Sequence, residues 1–118
     1  MDAINKEWDN TVYPDMIRNL PEADIPVEGI RGWLMQSTDR QIVFFDIKKT
    51  AHVPPHSHCA QWGLMVEGEM SLTIGGETKV YKKGDSYFIP KGVVHSAKFH
   101  SQVFVIDVFN APDRYKAK

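Results

Sequence analysis

Apolar and polar positions along the chain follow two regimes that change near Val27. Before it, Pro14-Asp15-Met16-Ile17-Arg18-Asn19-Leu20 spaces its apolar residues for one or two helical turns, and Pro21 ends them. From Val27 onward the pattern is that of strands. Gln41-Ile42-Val43-Phe44-Phe45-Asp46-Ile47 is rich in β-branched and aromatic residues, and its consecutive apolar positions predict cover on both faces, as in a sandwich or a dimer seam. Met70-Ser71-Leu72-Thr73-Ile74 alternates cleanly into Gly75-Gly76, a pair suited to a two-residue turn at positive φ. Glu77 to Tyr81 then returns antiparallel. Lys83-Gly84-Asp85 makes a second turn, Ser86 to Ile89 a short strand closed by Pro90-Lys91-Gly92, and Val94 to Phe99 and Gln102 to Phe109 complete the series. Glycine or proline punctuation every 8–12 residues or so is the mark of an all-β barrel or sandwich. Ala111 to Lys116 reads as a tail lying on the surface.

Composition narrows this picture without changing it. A chain of 118 residues and 13.5 kDa suits one domain: an arm over 1–26, a barrel over 27–110 and a tail over 111–118. With 42% hydrophobic and 25% charged residues, disorder and coiled coil are excluded. A net charge of -1 leaves no basic surplus for nucleic acid or an anionic membrane. No apolar run is long enough to span a bilayer, and MDAINKEWDN lacks the features of a signal peptide. The single cysteine cannot form an intrachain disulfide. A cytoplasmic location is expected.

Candidate chemistry lies in the histidines. His56-Ser57-His58 is an i, i+2 pair, and on a strand such residues project to one side. Gln61 follows three residues later. His95 can add a third nitrogen if its hairpin packs alongside.

These residues carry a resemblance. His56, His58, Gln61 and then Gly68 match the first motif of the cupin superfamily, and Gly84, Pro90, Gly92 and His95 match the second. Two departures stand out. The loop between His58 and Gln61 is one residue short of the usual form, and Phe99 occupies a position often held by Asn. The resemblance implies a cupin jelly-roll β-barrel with a short N-terminal arm. Its metal ligands would be His56, His58, Gln61 (or a water in its place) and His95. Three neutral imidazoles and an amide oxygen suit one divalent transition metal per chain: Zn, Ni, Fe, Cu or Mn. Small cupins commonly pair, so a homodimer is expected through the arm and the strand Ile42–Ile47.

Gln61 stands where a carboxylate is common, and an amide neither offsets the cation's charge nor acts as a base. A buried charge seeks a partner, so the expected ligand is a small anionic molecule. The leading expectation is a metal-dependent enzyme of cyclase, lyase, isomerase or dioxygenase type, its base supplied from outside the ligand set. The alternatives are a non-catalytic sensor or carrier, and a metal-free epimerase using His95 as base. Tyr87 is the candidate acid or hydrogen-bond donor. His52 and His100 lie outside the motifs and read as exposed or hydrogen-bonded. Cys59 reads as an inert thiol turned away from the site. Gly63 shares the parity of Gln61 and would leave room for a ligand. Trp33, Phe44, Phe45, Trp62, Tyr81, Tyr87 and Phe88 are read mostly as core.

Overall fold

The computed structural model describes residues 11–118, so the first ten residues of the arm lie outside it. One turn of helix, α1 (Asp15–Arg18), precedes nine strands: β1 (Ile30–Gln36), β2 (Gln41–Ile47), β3 (Val53–His56), β4 (Gln61–Glu67), β5 (Glu69–Ile74), β6 (Glu77–Lys82), β7 (Ser86–Ile89), β8 (His95–Phe99) and β9 (Val103–Phe109). They form two antiparallel sheets, β1-β2-β9-β4-β7 and β3-β8-β5-β6, in the expected jelly-roll arrangement. Gly75 and Gly76 both hold positive φ (57° and 85°) at the β5–β6 turn, as their sequence requires.

Alternation along the strands builds the core. Val43, Phe45 and Ile47 of β2 face Val103, Val105 and Phe109 of β9, Met65 of β4 and Ile89 of β7 across the inner surface of the larger sheet. Met70, Leu72 and Phe99 come from the smaller sheet, so Phe99 serves packing at its unusual position. The outer surface of the larger sheet is also covered, which explains the doubly apolar β2. Its cover is the chain's own arm: Tyr13 packs edge-on against Trp33, Phe44 and Phe104, with Ile17 and Leu20 beside it. The Tyr13 hydroxyl donates to the carbonyl of Phe45 at 2.8 Å.

The described part of the arm, from residue 11 onward, covers only part of that surface. Register places Met35, Ile42, Val108, Trp62 and Phe88 side by side across all five strands. Met35, Trp62 and Phe88 are 45%, 41% and 58% exposed. Trp62 and Phe88 are therefore not core. They sit at outward parity beside the inward Gln61, Gly63, Tyr87 and Ile89.

The C-terminal segment lies on the surface, with Pro112, Asp113, Lys116, Ala117 and Lys118 exposed, and is fastened there. Its Tyr115 ring packs against Phe45 and Phe109, and buried Gln41 clasps the Tyr115 main chain, donating to its carbonyl at 2.6 Å and accepting from its N–H at 3.0 Å. Backbone bonds from Asp24 N–H to the Lys116 carbonyl and from Lys118 N–H to the Glu22 carbonyl tie the segment to the arm. Buried aromatic area and satisfied main-chain groups hold it down. Among the described residues no helix is long and apolar enough to cross a membrane.

Candidate metal centre

The smaller sheet brings two imidazoles together by register alone. His56 on β3 pairs with His95 on β8, and their ring centroids lie 4.2 Å apart. His58 arrives differently from the sequence expectation. β3 ends at His56, so His58 lies in the irregular segment 57–60, yet its ring is 5.1 Å from His56 and 4.7 Å from His95. One nitrogen from each of the three falls within 4.8 Å of the others, a cluster that could hold a metal ion.

Backbone carbonyls orient all three rings. Nδ1 of His56, His58 and His95 lies 3.0, 2.8 and 3.0 Å from the carbonyl oxygens of Pro54, Cys59 and Val93. A neutral imidazole that donates Nδ1–H keeps its lone pair on Nε2, the arrangement that metal-binding histidines use. Burial, with smaller repulsion from Arg114 and the neighbouring rings, pushes His58 down to about 4, and burial lowers His95 as well. Both are therefore neutral at physiological pH, with Nε2 available.

Gln61 begins β4 and is buried with its Oε1 unpartnered. Its amide lies two residues along in register from the position facing Tyr87 and Asp107, and hydrogen bonding from it offsets part of the upward push that burial gives both groups. Three imidazole lone pairs and an orphaned amide oxygen lining one cavity are donors that fit a divalent transition cation.

Asp107 is the residue that sequence reading missed. It points inward from β9 and is completely buried, and the Tyr87 hydroxyl donates to its Oδ1 at 2.6 Å. Burial pushes its carboxyl up to about 7, with the bonds from Tyr87 and Gln61 opposing in part. Tyr87 is correspondingly held neutral, its pKa raised well above the ordinary value by burial and by Asp107. It is a hydrogen-bond donor. The two side chains meet over Gly63, which pairs with Tyr87 on one side and Asp107 on the other. A Cβ at Gly63 would overlap both. The space at Gly63 is thus filled by this pair, not left for a ligand.

The cavity of about 270 Å³ is lined by these groups and an apolar wall. Among the described residues the one Lys or Arg lining it is Arg114, which stacks over Tyr115 at 4.4 Å and near Phe109 at 5.9 Å. The Arg114 Nε is buried without a hydrogen-bond partner. His52 is exposed, and His100 Nε2 lies 2.6 Å from the Ser71 Oγ on the outer surface, so neither joins the site. Cys59 sits off the strands, where alternation does not apply, with its Sγ 3.9 Å from His58 Nδ1.

Comparison with known proteins matches residues 43–109 to the cupin domain family. The chain belongs to the cupin family. This cupin is similar to an RmlC-like cupin from Shewanella frigidimarina (TM-score 0.71, 29% identity, covering 80% of this chain and 86% of that one). It is also similar to KdgF from Halomonas sp. (TM-score 0.68, 26% identity, covering 78% and 86%). A curated relative, H2HPP isomerase of Bacillus subtilis, is 31% identical over 84 residues, 68% of this cupin. The match takes in 36% of that protein's length.

Proposed function

We propose that this cupin is a metal-dependent enzyme that moves a proton on a small anionic organic substrate, an isomerase or lyase. One observation supports the reading above others: three imidazoles, a buried carboxyl and a guanidinium with an orphaned Nε line one cavity. His56, His58, His95 and Gln61 hold the divalent metal, one per chain. When bound, such a metal polarises a substrate oxygen as a Lewis acid. Arg114 pairs with the substrate's carboxylate, and its stacking on Tyr115 restricts the guanidinium to one plane. Asp107 is the base that the amide at position 61 cannot be. A carboxyl near 7 is matched to accept a proton from carbon and return it elsewhere on the substrate. The apolar walls exclude water, and the small volume selects a compact substrate. A curated relative bearing the name isomerase agrees with proton-transfer chemistry.

Titrating metal-loaded protein with carboxylic acids and their neutral amides tests this. Acids are expected to bind at least tenfold more tightly, and Arg114→Ala to abolish the preference, since a charge-assisted pair contributes about 1.5–3 kcal/mol. Equal binding of acids and amides contradicts it. Binding of acids with no turnover across a panel favours a carrier or sensor instead.

We propose further that a second copy covers the row Met35–Ile42–Val108–Trp62–Phe88, giving a homodimer. The row spans about 19 Å and carries no charge, so a two-fold axis can lay it against itself. Sedimentation should report about 27 kDa, twice the 13.5 kDa chain, and Trp62→Glu should halve it. A wild-type protein sedimenting as a single chain contradicts the proposal.

A further inference from the structure

Gln61 raises a problem that a glutamate would not. A carboxylate offers an oxygen on either side, whereas an amide offers an oxygen on one side and an N–H₂ on the other. Turned the wrong way, Gln61 would aim two N–H groups at a cation. Something must choose the rotamer.

The structure supplies the selector. Gln61, Asp107 and Tyr87 share the inner surface of the larger sheet, with Gly63 between Asp107 and Tyr87 in register. A cation bound beside Asp107 favours its ionised form, and a carboxylate accepts hydrogen bonds with none to donate. The Asp107 Oδ1 already accepts the Tyr87 hydroxyl, which leaves the tyrosine oxygen able to accept as well. Both groups, adjacent to Gln61 in register, therefore favour the nitrogen side of the amide. The oxygen is left over, buried and unpartnered. We propose that Asp107 and Tyr87 are positioning residues that lock Gln61 in the rotamer presenting Oε1 to a divalent cation. This inference rests on the metal-centre reading above and adds to it the reason an amide serves at position 61. Gly63 belongs to the device, because any side chain there would separate the pair.

Reversing the donor pattern tests it. In Asp107→Asn, the new amide can accept from Tyr87 through its oxygen and turn its nitrogen to Gln61. With only Tyr87 still favouring the nitrogen side, Gln61 can flip, its oxygen to Asn and its N–H₂ to the cation. Co²⁺ titration of metal-depleted full-length protein, read by visible absorption, should show binding weakened about 10–100-fold, the range for losing an orienting partner. In a Gln61→Glu background there is no wrong side to present, so the same Asp107→Asn change should cost less than about threefold. Loss of negative charge, or of packing, would weaken Co²⁺ binding equally in both backgrounds, and that result overturns the inference. Tyr87→Phe provides a second route if Asp107→Asn fails to fold. It should weaken binding several-fold with Gln61 present and not with Glu there, and equal losses again overturn the inference. His95→Ala separates the two levels. If wild-type protein gives no Co²⁺ bands that His95→Ala removes, the metal centre itself fails. If it does, and Asp107→Asn and Tyr87→Phe bind as wild type, only the positioning role fails.

Discussion

Metal-free protein taken from pH 4 to pH 8 is expected to lose roughly 4 kcal/mol of stability that an Asp107→Asn variant keeps. The carboxyl of Asp107 is raised by burial to about 7 from an ordinary 3.8. Below both values the folded and unfolded chains each carry the proton, and Asp107 contributes no pH dependence. Between them the unfolded chain releases its proton while the folded chain retains it, so stability falls as pH rises. The fall ends once pH passes the folded value. Each pH unit in that window corresponds to about 1.4 kcal/mol, and the window is about three units wide. His58 and His95, lowered by burial, pull the other way over part of the range, because the unfolded chain takes up their protons first. Comparing wild type with Asp107→Asn by chemical denaturation at each pH subtracts them. The variant should gain on the wild type steadily up to about pH 7 and then run parallel to it. Parallel curves throughout would mean that Asp107 titrates as an ordinary carboxyl.

Gly63→Ala is expected to destabilise the metal-free protein by about 4 kcal/mol. The new methyl overlaps the Tyr87 ring and the Asp107 carboxylate, both buried and both on strands flanking β4. Overpacking of this kind costs about 1–3 kcal/mol. Parting the pair adds about 1–3 kcal/mol, because a buried carboxylate loses its hydroxyl donor. Tyr87 has little room to retreat, since its other side packs against Tyr81 with ring centroids 5.5 Å apart. Denaturant midpoints converted with an unchanged slope measure the loss, and a value under 1 kcal/mol would show that the pair can part freely.

What could be read from the chain alone follows from how local each signal is. The β5–β6 turn was legible because Gly75-Gly76 states its own backbone requirement. The histidine cluster was legible because its members sit at fixed offsets in two short motifs, although His58 reaches the site from an irregular segment and not from a strand. Asp107 had a signal that went unused. In Val103-Phe104-Val105-Ile106-Asp107-Val108-Phe109 it shares the parity of the inward residues, and a charge at core parity needs a reason. The same parity argument would have turned Trp62 and Phe88 outward. Arg114 had no local signal. Its place at the cavity depends on Gln41, seventy-odd residues away, gripping the Tyr115 main chain, a side-chain contact that no periodicity reports.

The proposed chemistry requires that His56, His58 and His95 converge on one cation. Elemental analysis with X-ray absorption on untagged protein tests it most directly. About one divalent transition metal per chain is expected, with three imidazole nitrogens at about 2.0–2.1 Å if the metal is zinc, and loss of that metal in His95→Ala. Less than half an equivalent after reconstitution, or an unchanged metal content in His95→Ala, would contradict it.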